Sequence, residues 1–371
     1  MMQESKIVFG KWETAALLIN ALNVQVFLNF PRTMAERGGT AGWILAAYIS
    51  VLAFLLFLLI SRLYSRFEGK DLLDLGEYIG GSAGRIIVGI IILIHITFII
   101  SIILREFAED MKVISLPASP ISFVILFFLS GMIAGAYAGI EAIVRFHAFI
   151  VPIILAGYLI IIGGVAPYYN ISNIMPILGN GAYAIFGSGF FRISSFSGLI
   201  ALFLLFPFIK TGKNFKSAGS LAIGISSGVL ITSALTFLLV FPYPSAIEGF
   251  LPIFQLARLI NYGRFFQRVE SIFVMIWAIA ALLYLSMGFF LIVYVFSKTF
   301  RLEYYRPLII PMAIIVFAIS LWPKNLMSAI AMETVYFRSA AWAVTFGMTL
   351  LLLLVAGAMK KRNHRKEGDR K

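Results

Sequence analysis

Asn20, Asn23, Gln25 and Asn29 fall within LINALNVQVFLNFP, and Arg192, Ser194, Ser195, Ser197 and Gly198 fall within GSGFFRISSFSGLIALFLLFP, Gly187 to Pro207. These two stretches are where an otherwise apolar chain gathers side chains able to bind a small solute. Amides and hydroxyls donate and accept hydrogen bonds, so the chemistry they offer is recognition. Asn20 and Asn23 share one helical face, and Gln25 and Asn29 share another. Four amides on two faces are hard to hide against one neighbour. They either line a cavity inside a bundle or glue helices together by hydrogen bonds. Arg192 either gates or couples such a cavity, or it snorkels its long side chain to the membrane edge or pairs structurally. His95, between Ile94 and Ile96, either carries a coupled proton or stays neutral and bonds a neighbouring helix. Glu141 and Arg145, four apart, are suited to an ion pair that either couples to the site or fixes a helix at the interface.

No catalytic constellation accompanies these residues. With three His and no Cys, a conventional metal site has little to build on, and neither a metal nor another cofactor is expected. Phosphate-cradling glycine motifs are absent, and GSGF at 187–190 is not a nucleophile elbow. The net charge of +13 lies between apolar runs, which points to membrane topology rather than nucleic acid.

The elements that must position the polar stretches are membrane helices. The chain of 371 residues is 61% hydrophobic and 13% charged, with mean hydropathy +0.96. A polytopic membrane protein follows, in contact with lipid throughout. Charges punctuate ten expected spans, near 12–31, 40–61, 84–106, 119–138, 144–166, 187–209, 217–241, 268–297, 306–323 and 338–359. MMQESKIVFGKWE lacks a cleavage region, so the first span is expected to be uncleaved. Phe254, Leu256, Leu259 and Ile260 predict a short amphipathic surface helix. Arg105, Glu106, Glu109, Asp110 and Lys112 are expected to form a solvated outer rim that Arg268 and Glu270 could meet. Arg338 is expected in an outer connection. Lys and Arg concentrate on the side that puts both termini in the cytoplasm, including the basic tail 360–371.

Ten spans divide five and five, and an odd-numbered repeat inverts its topology. The fold class expected is therefore all-α, one integral membrane domain over 1–371, with inverted repeats at 12–166 and 187–359. Span one then pairs with span six, and both polar stretches end in Phe-Pro, at 30–31 and 206–207. A polar break in lipid is tolerated only against protein or a cavity, so helices one and six are expected to be broken there.

Further pieces carry a resemblance: NFPRTM, AEDMKV followed by SPISFVI, GIEAIVRF, NIMPILGNG, FFQRVESIFVMIW and SLWPKN, in that order along nearly the whole chain. The chain resembles the B subunits of bacterial spore germinant receptors, the spore germination permease family of the amino acid–polyamine–organocation superfamily. The resemblance implies a LeuT-like fold of ten helices in the inner membrane of a dormant spore. It implies a nutrient germinant, typically an amino acid; the polar stretches themselves place its pocket at the helix 1/helix 6 break, lined by Asn20, Asn23, Gln25, Ser194, Ser195, Ser197 and Gly198. It also implies A and C partner subunits, with ion release as output. An ion-coupled amino acid symporter and a pore-forming subunit with no ligand of its own are the alternatives. Two departures stand out. Asn23-Val24-Gln25-Val26 holds no Gly where relatives break helix one, and no acid follows Gly198 to meet an ammonium group.

Overall fold

A computed structural model describes residues 8–261 and 269–368. Arg268 lies outside the described residues. Among those described, eight helical stretches are long and apolar enough to cross a membrane. The apolar Arg306–Ser320 is shorter, as is α1, Lys11–Phe27, at 17 residues. With these two the ten expected crossings are accounted for.

The first crossing breaks later than expected. α1 runs unbroken through Asn20, Asn23 and Gln25. Leu28 and Asn29 then leave helical geometry, and α2, Phe30–Gly38, resumes the helix. Pro31 therefore opens a half-helix instead of ending a span, because the first turn needs no N–H from it. α3 is Gly42–Tyr64.

α4, Leu72–Ile114, starts well before the expected third span and bends at Gly80 and Gly81, where Gly81 takes φ 59°. Only glycine adopts that conformation without steric cost. Asp71 caps α4 through a reciprocal box with Asp74. Its other oxygen accepts from Lys298 Nζ at 2.7 Å and the Tyr294 hydroxyl at 3.0 Å. Glu77 pairs with Arg85 at 2.9 Å and with Arg301. The segment before the bend is thus pinned to the end of α10, and Arg85 is buried with Nε donating to Thr299 O.

α5 is Ile121–Ala138 and α6 is Ile140–Gly164. The sixth crossing spans Tyr183–Leu204. It is π-wound at Tyr183–Gly187, 3-10 at Ser188–Leu199 and α-helical only in α7, Ile200–Leu204. Pro207 ends it, as expected. Phe9 N–H donates to Phe208 O at 2.8 Å, and Lys210 N–H donates to Phe9 O at 3.3 Å. These bonds tie the approach to α1 to the exit of crossing six. α8, Gly212–Val240, follows.

α9, Pro252–Leu259, forms where an amphipathic helix was expected. It is not laid on a surface, however: Ile253, Leu256 and Ala257 are buried in the bundle. α10, Val269–Thr299, is central, with 78% of its most apolar window buried. The corresponding figure on the α6 side is 28%, a lipid-facing value.

α11 is Ile309–Ser320. The last crossing starts twelve residues before the expected 338. It comprises α12, Leu326–Ala331, a π turn at Met332–Phe337, α13, Arg338–Trp342, a second π turn at Ala343–Met348, and α14, Thr349–Gly368. Charges at Glu333 and Arg338 conceal this start from a hydropathy reading. They remain inside because each supplies the other's counter-charge.

Candidate functional site

A 3-10 turn pairs its carbonyls through poorer i→i+3 bonds, and each carbonyl keeps a lone pair that a side chain can take up. In crossing six they find side chains. Gln25 Nε2 donates to Ser195 O at 2.7 Å and to Leu22 O at 2.8 Å. Arg338 Nη1 donates to Ser194 O at 3.0 Å, and Thr345 Oγ1 donates to Ser197 O at 3.3 Å. Ser194 Oγ donates back to Arg338 O and to Phe191 O. The polar residues of the two broken crossings therefore first satisfy backbone.

The π turn does the complementary thing. Glu333 and Arg338 are five apart, a spacing that separates side chains on an α-helix but brings them together on a π turn. Arg338 grips Glu333 Oε1 through Nε at 2.6 Å and Nη2 at 2.5 Å. Arg192 Nη1 donates to Thr334 O, inside the same turn, at 3.0 Å. Arg192 thus faces protein rather than snorkelling to the membrane edge.

A cavity lies where these pieces meet. Gln25, Asn29, Thr33, Arg192, Ser195, Glu333, Thr334 and Arg338 supply its polar lining, and Leu28, Phe30 and Met34 its apolar lining. Only about 20 Å³ is open to the centre of a water molecule, room for one or two waters. The space left at this site is narrow.

Behind Asn29 stands α4. Glu106 Oε1 accepts from Asn29 Nδ2 at 2.6 Å. Glu106 Oε2, Asn29 Oδ1 and Asp110 Oδ2 are buried without a partner among the described residues. The expected solvated rim is therefore wrong. Arg105, Glu106 and Asp110 are buried, with Glu106 only 1% exposed, and Arg105 pairs with Glu109 at 2.8 Å. Phe107 meets Trp277 edge to face at 4.7 Å, so an aromatic wall adjoins the acids.

The sequence-predicted residues divide. Gln25 and Ser195 line the cavity, Ser194 Oγ holds the Arg338 carbonyl beside it, and Ser197 enters through its carbonyl, which accepts from Thr345 Oγ1. Asn20 and Asn23 are on the opposite face of α1. Asn20 Nδ2 donates to Ala280 O at 3.0 Å, and Asn23 Nδ2 donates to Ser226 Oγ at 3.2 Å. They border a separate, smaller cavity with Phe27, Tyr158 and Val229. His95 meets Phe337, the residue before Arg338, at 4.7 Å with the rings tilted by 35°. Glu141 and Arg145 pair at 2.5 Å on the surface, with Arg145 75% exposed, and do not line the cavity.

Gly198 serves close packing. A Cβ there would stand 2.9 Å from Ala21 O and 3.2 Å from Ala21 C, which are backbone atoms of α1 that cannot swing aside. Gly198→Val is expected to force the two broken crossings apart and cost about 1–3 kcal/mol. Loss of apparent thermal stability in detergent, followed by tryptophan emission, measures it. An unchanged midpoint would show that the crossings are not in tight register.

Sequence reading missed Glu106, Glu333 and Arg338 as site residues. The five-residue spacing of the last two is the signal that could have found them.

The sequence profile of a family described as spore germination protein matches residues 12–329. Among curated proteins, spore germination protein B2 of Bacillus subtilis (strain 168) is 24% identical over 74% of this chain and 74% of its own length. Spore germination protein A2 of the same organism is 26% identical over 87% of this chain and 89% of its own. Among solved structures, MhsT in complex with L-phenylalanine superposes with TM-score 0.66 at 16% identity, covering 95% of this chain and 89% of that one. A Na+-coupled sialic acid symporter gives 0.66 at 12% identity, covering 94% and 79%. Mhp1, a nucleobase-cation-symport-1 family transporter in a closed conformation, gives 0.67 at 12%, covering 93% and 78%. The fold is the all-α LeuT-type 5+5 inverted repeat.

Proposed function

Because this chain belongs to the spore germination protein family, we propose that it is the nutrient-sensing membrane subunit of a germination receptor. On this reading a small solute such as an amino acid binds in the cavity between the α1–α2 break, crossing six, α4 and the π turn. The observation that carries it is the unpartnered pair Glu106 Oε2 and Asn29 Oδ1 beside a cavity lined by Arg192 and Arg338. Acceptors without donors on one side and guanidiniums on the other match an ammonium and a carboxylate. The acid missing after Gly198 would then come from α4 and the π turn. The positive end of α2, at Phe30, adds to the carboxylate side.

The narrowness of the cavity supports sensing by population shift. A solute larger than a water or two must spread the lining to fit, and it favours whichever packing holds it better. The receiving elements would be A and C receptor subunits or an ion path, in the inner membrane of a spore with both termini cytoplasmic. Gln25, Ser194, Ser195, Ser197 and Gly198 then shape the pocket's backbone, and Asn20 and Asn23 hold α1 against α10 and α8.

The test is purified protein in vesicles with radiolabelled L-amino acids. Saturable binding without accumulation is the expected result. Accumulation driven by an ion gradient would make the chain a symporter, and ion conduction with no amino acid binding would make it a pore subunit.

A further inference from the structure

Between Arg145 and Arg192 the chain carries no Asp, Glu, Lys or Arg. The connection from α6 to crossing six lies in this interval, and it exposes large apolar side chains. Ile171 is 71% exposed and Tyr183 80%, with Met175, Ile177 and Leu178 each above half. An isolated exposed leucine is ordinary, but a run of this kind marks a surface that something covers.

Three observations identify the cover as lipid. First, the patch continues a lipid-facing surface, since Phe149, Leu159 and Ile160 on the outer side of α6 are exposed as well. Second, the connection runs on into the start of crossing six, which reaches down the bundle. Phe186 packs edge to face on Tyr48 at 5.2 Å and accepts from the Tyr48 hydroxyl through its carbonyl. Tyr48 is six residues into α3, about 9 Å along its axis. Third, the connection looks after its own backbone. The N–H groups of Tyr168, Tyr169, Asn173, Met175, Gly179 and Gly181 bond to carbonyls within it or at the end of α6. Asn170 N–H bonds Leu239 O, and Asn180 N–H bonds Gly38 O. Backbone facing hydrocarbon must be paired in this way, whereas backbone facing water need not be.

We propose that residues 166–187 are seated in the headgroup–acyl boundary of the bilayer, as a neutral membrane anchor. The anchor grips the half-helix that roofs the cavity. Thr40 Oγ1 donates to Pro176 O, Asn180 N–H donates to Gly38 O at 3.1 Å, and Asn180 Nδ2 donates to Arg37 O at 3.2 Å. The end of α2 is therefore held by a segment that the lipid surface itself holds.

The natural absence of cysteine makes the test direct. Ile171→Cys, Ile177→Cys and Tyr183→Cys are spin-labelled singly and placed in phosphatidylglycerol–phosphatidylethanolamine vesicles. Lys213→Cys serves as the aqueous control and Leu159→Cys as the lipid control. Collisions with oxygen should exceed those with a water-soluble nickel chelate at all three sites, at a depth of about 5–10 Å. Nickel-dominated collisions, as at Lys213, would put the connection in water and overturn the proposal. Protection from both reagents would also overturn it, by showing a protein contact. Tyr183→Trp, read by quenching with brominated lipids, gives the same decision without a label. None of these readouts depends on a germinant, so they stand or fall apart from the sensing reading.

Discussion

Removing Glu333 is expected to destabilise the protein by about 3–5 kcal/mol, the cost of leaving a buried guanidinium without its counter-charge. Arg338 is buried and holds Glu333 by two of its nitrogens. In Glu333→Ala only the Ser194 carbonyl would remain to it. The measurement is thermal unfolding in detergent. A cycle with Arg338→Met and with the double variant Glu333→Leu plus Arg338→Met completes it. The double variant should recover most of the loss, since two apolar side chains leave nothing uncompensated. Glu141→Ala is the internal contrast. Its pair with Arg145 is exposed, and such pairs contribute about 0–1 kcal/mol. Equal effects of the two single losses would mean that the π-turn pair does not hold the last crossing to crossing six.

Glu106→Gln is expected to weaken amino acid binding by about 10–100-fold, the factor that goes with a charge-assisted hydrogen bond of about 1.5–3 kcal/mol. The amide retains an oxygen to accept from Asn29 Nδ2, so the contact at 2.6 Å survives. What is lost is the unpartnered acceptor oxygen, replaced by an amide nitrogen that can only donate. The comparison ligand is the α-hydroxy acid of the same amino acid, which offers no ammonium and should bind both proteins alike. Calorimetric titration of the purified chain reads both. If the two ligands weakened together, Glu106 would be shaping the break at Leu28–Asn29 rather than meeting an amine.

Hydropathy made most of the bundle legible. Spans two, four, five and seven form within a few residues of where the charges bracket them, because unpaired charges mark where the chain leaves the membrane. Crossing six was legible as non-α because its Ser and Gly residues and its Phe-Pro end all act against a regular helix. The same reasoning failed wherever a charge stays inside. Glu106 and Asp110 look like a rim, and Glu333 and Arg338 look like a loop, until a second helix shows how they are buried. Pairing between helices distant in sequence is not written in a local window. The break in helix one was misplaced for a related reason. The amides at 20–25 point to polar work, but an intact helix can do it by side chain alone, and the backbone yields only at Leu28–Asn29.

The twelve 3-10 residues from Ser188 to Leu199 make crossing six longer than an α-helix of the same residues. At about 2.0 Å per residue they extend ~24 Å, whereas α winding at about 1.5 Å would take up ~18 Å. The same change would turn each side chain about 20° relative to the one before, from three residues per turn to 3.6. Gln25, Arg338 and Thr345, by occupying the carbonyls of Ser195, Ser194 and Ser197, pin the longer setting. Crossing six is therefore a ruler whose reading is held by three side chains on two other helices.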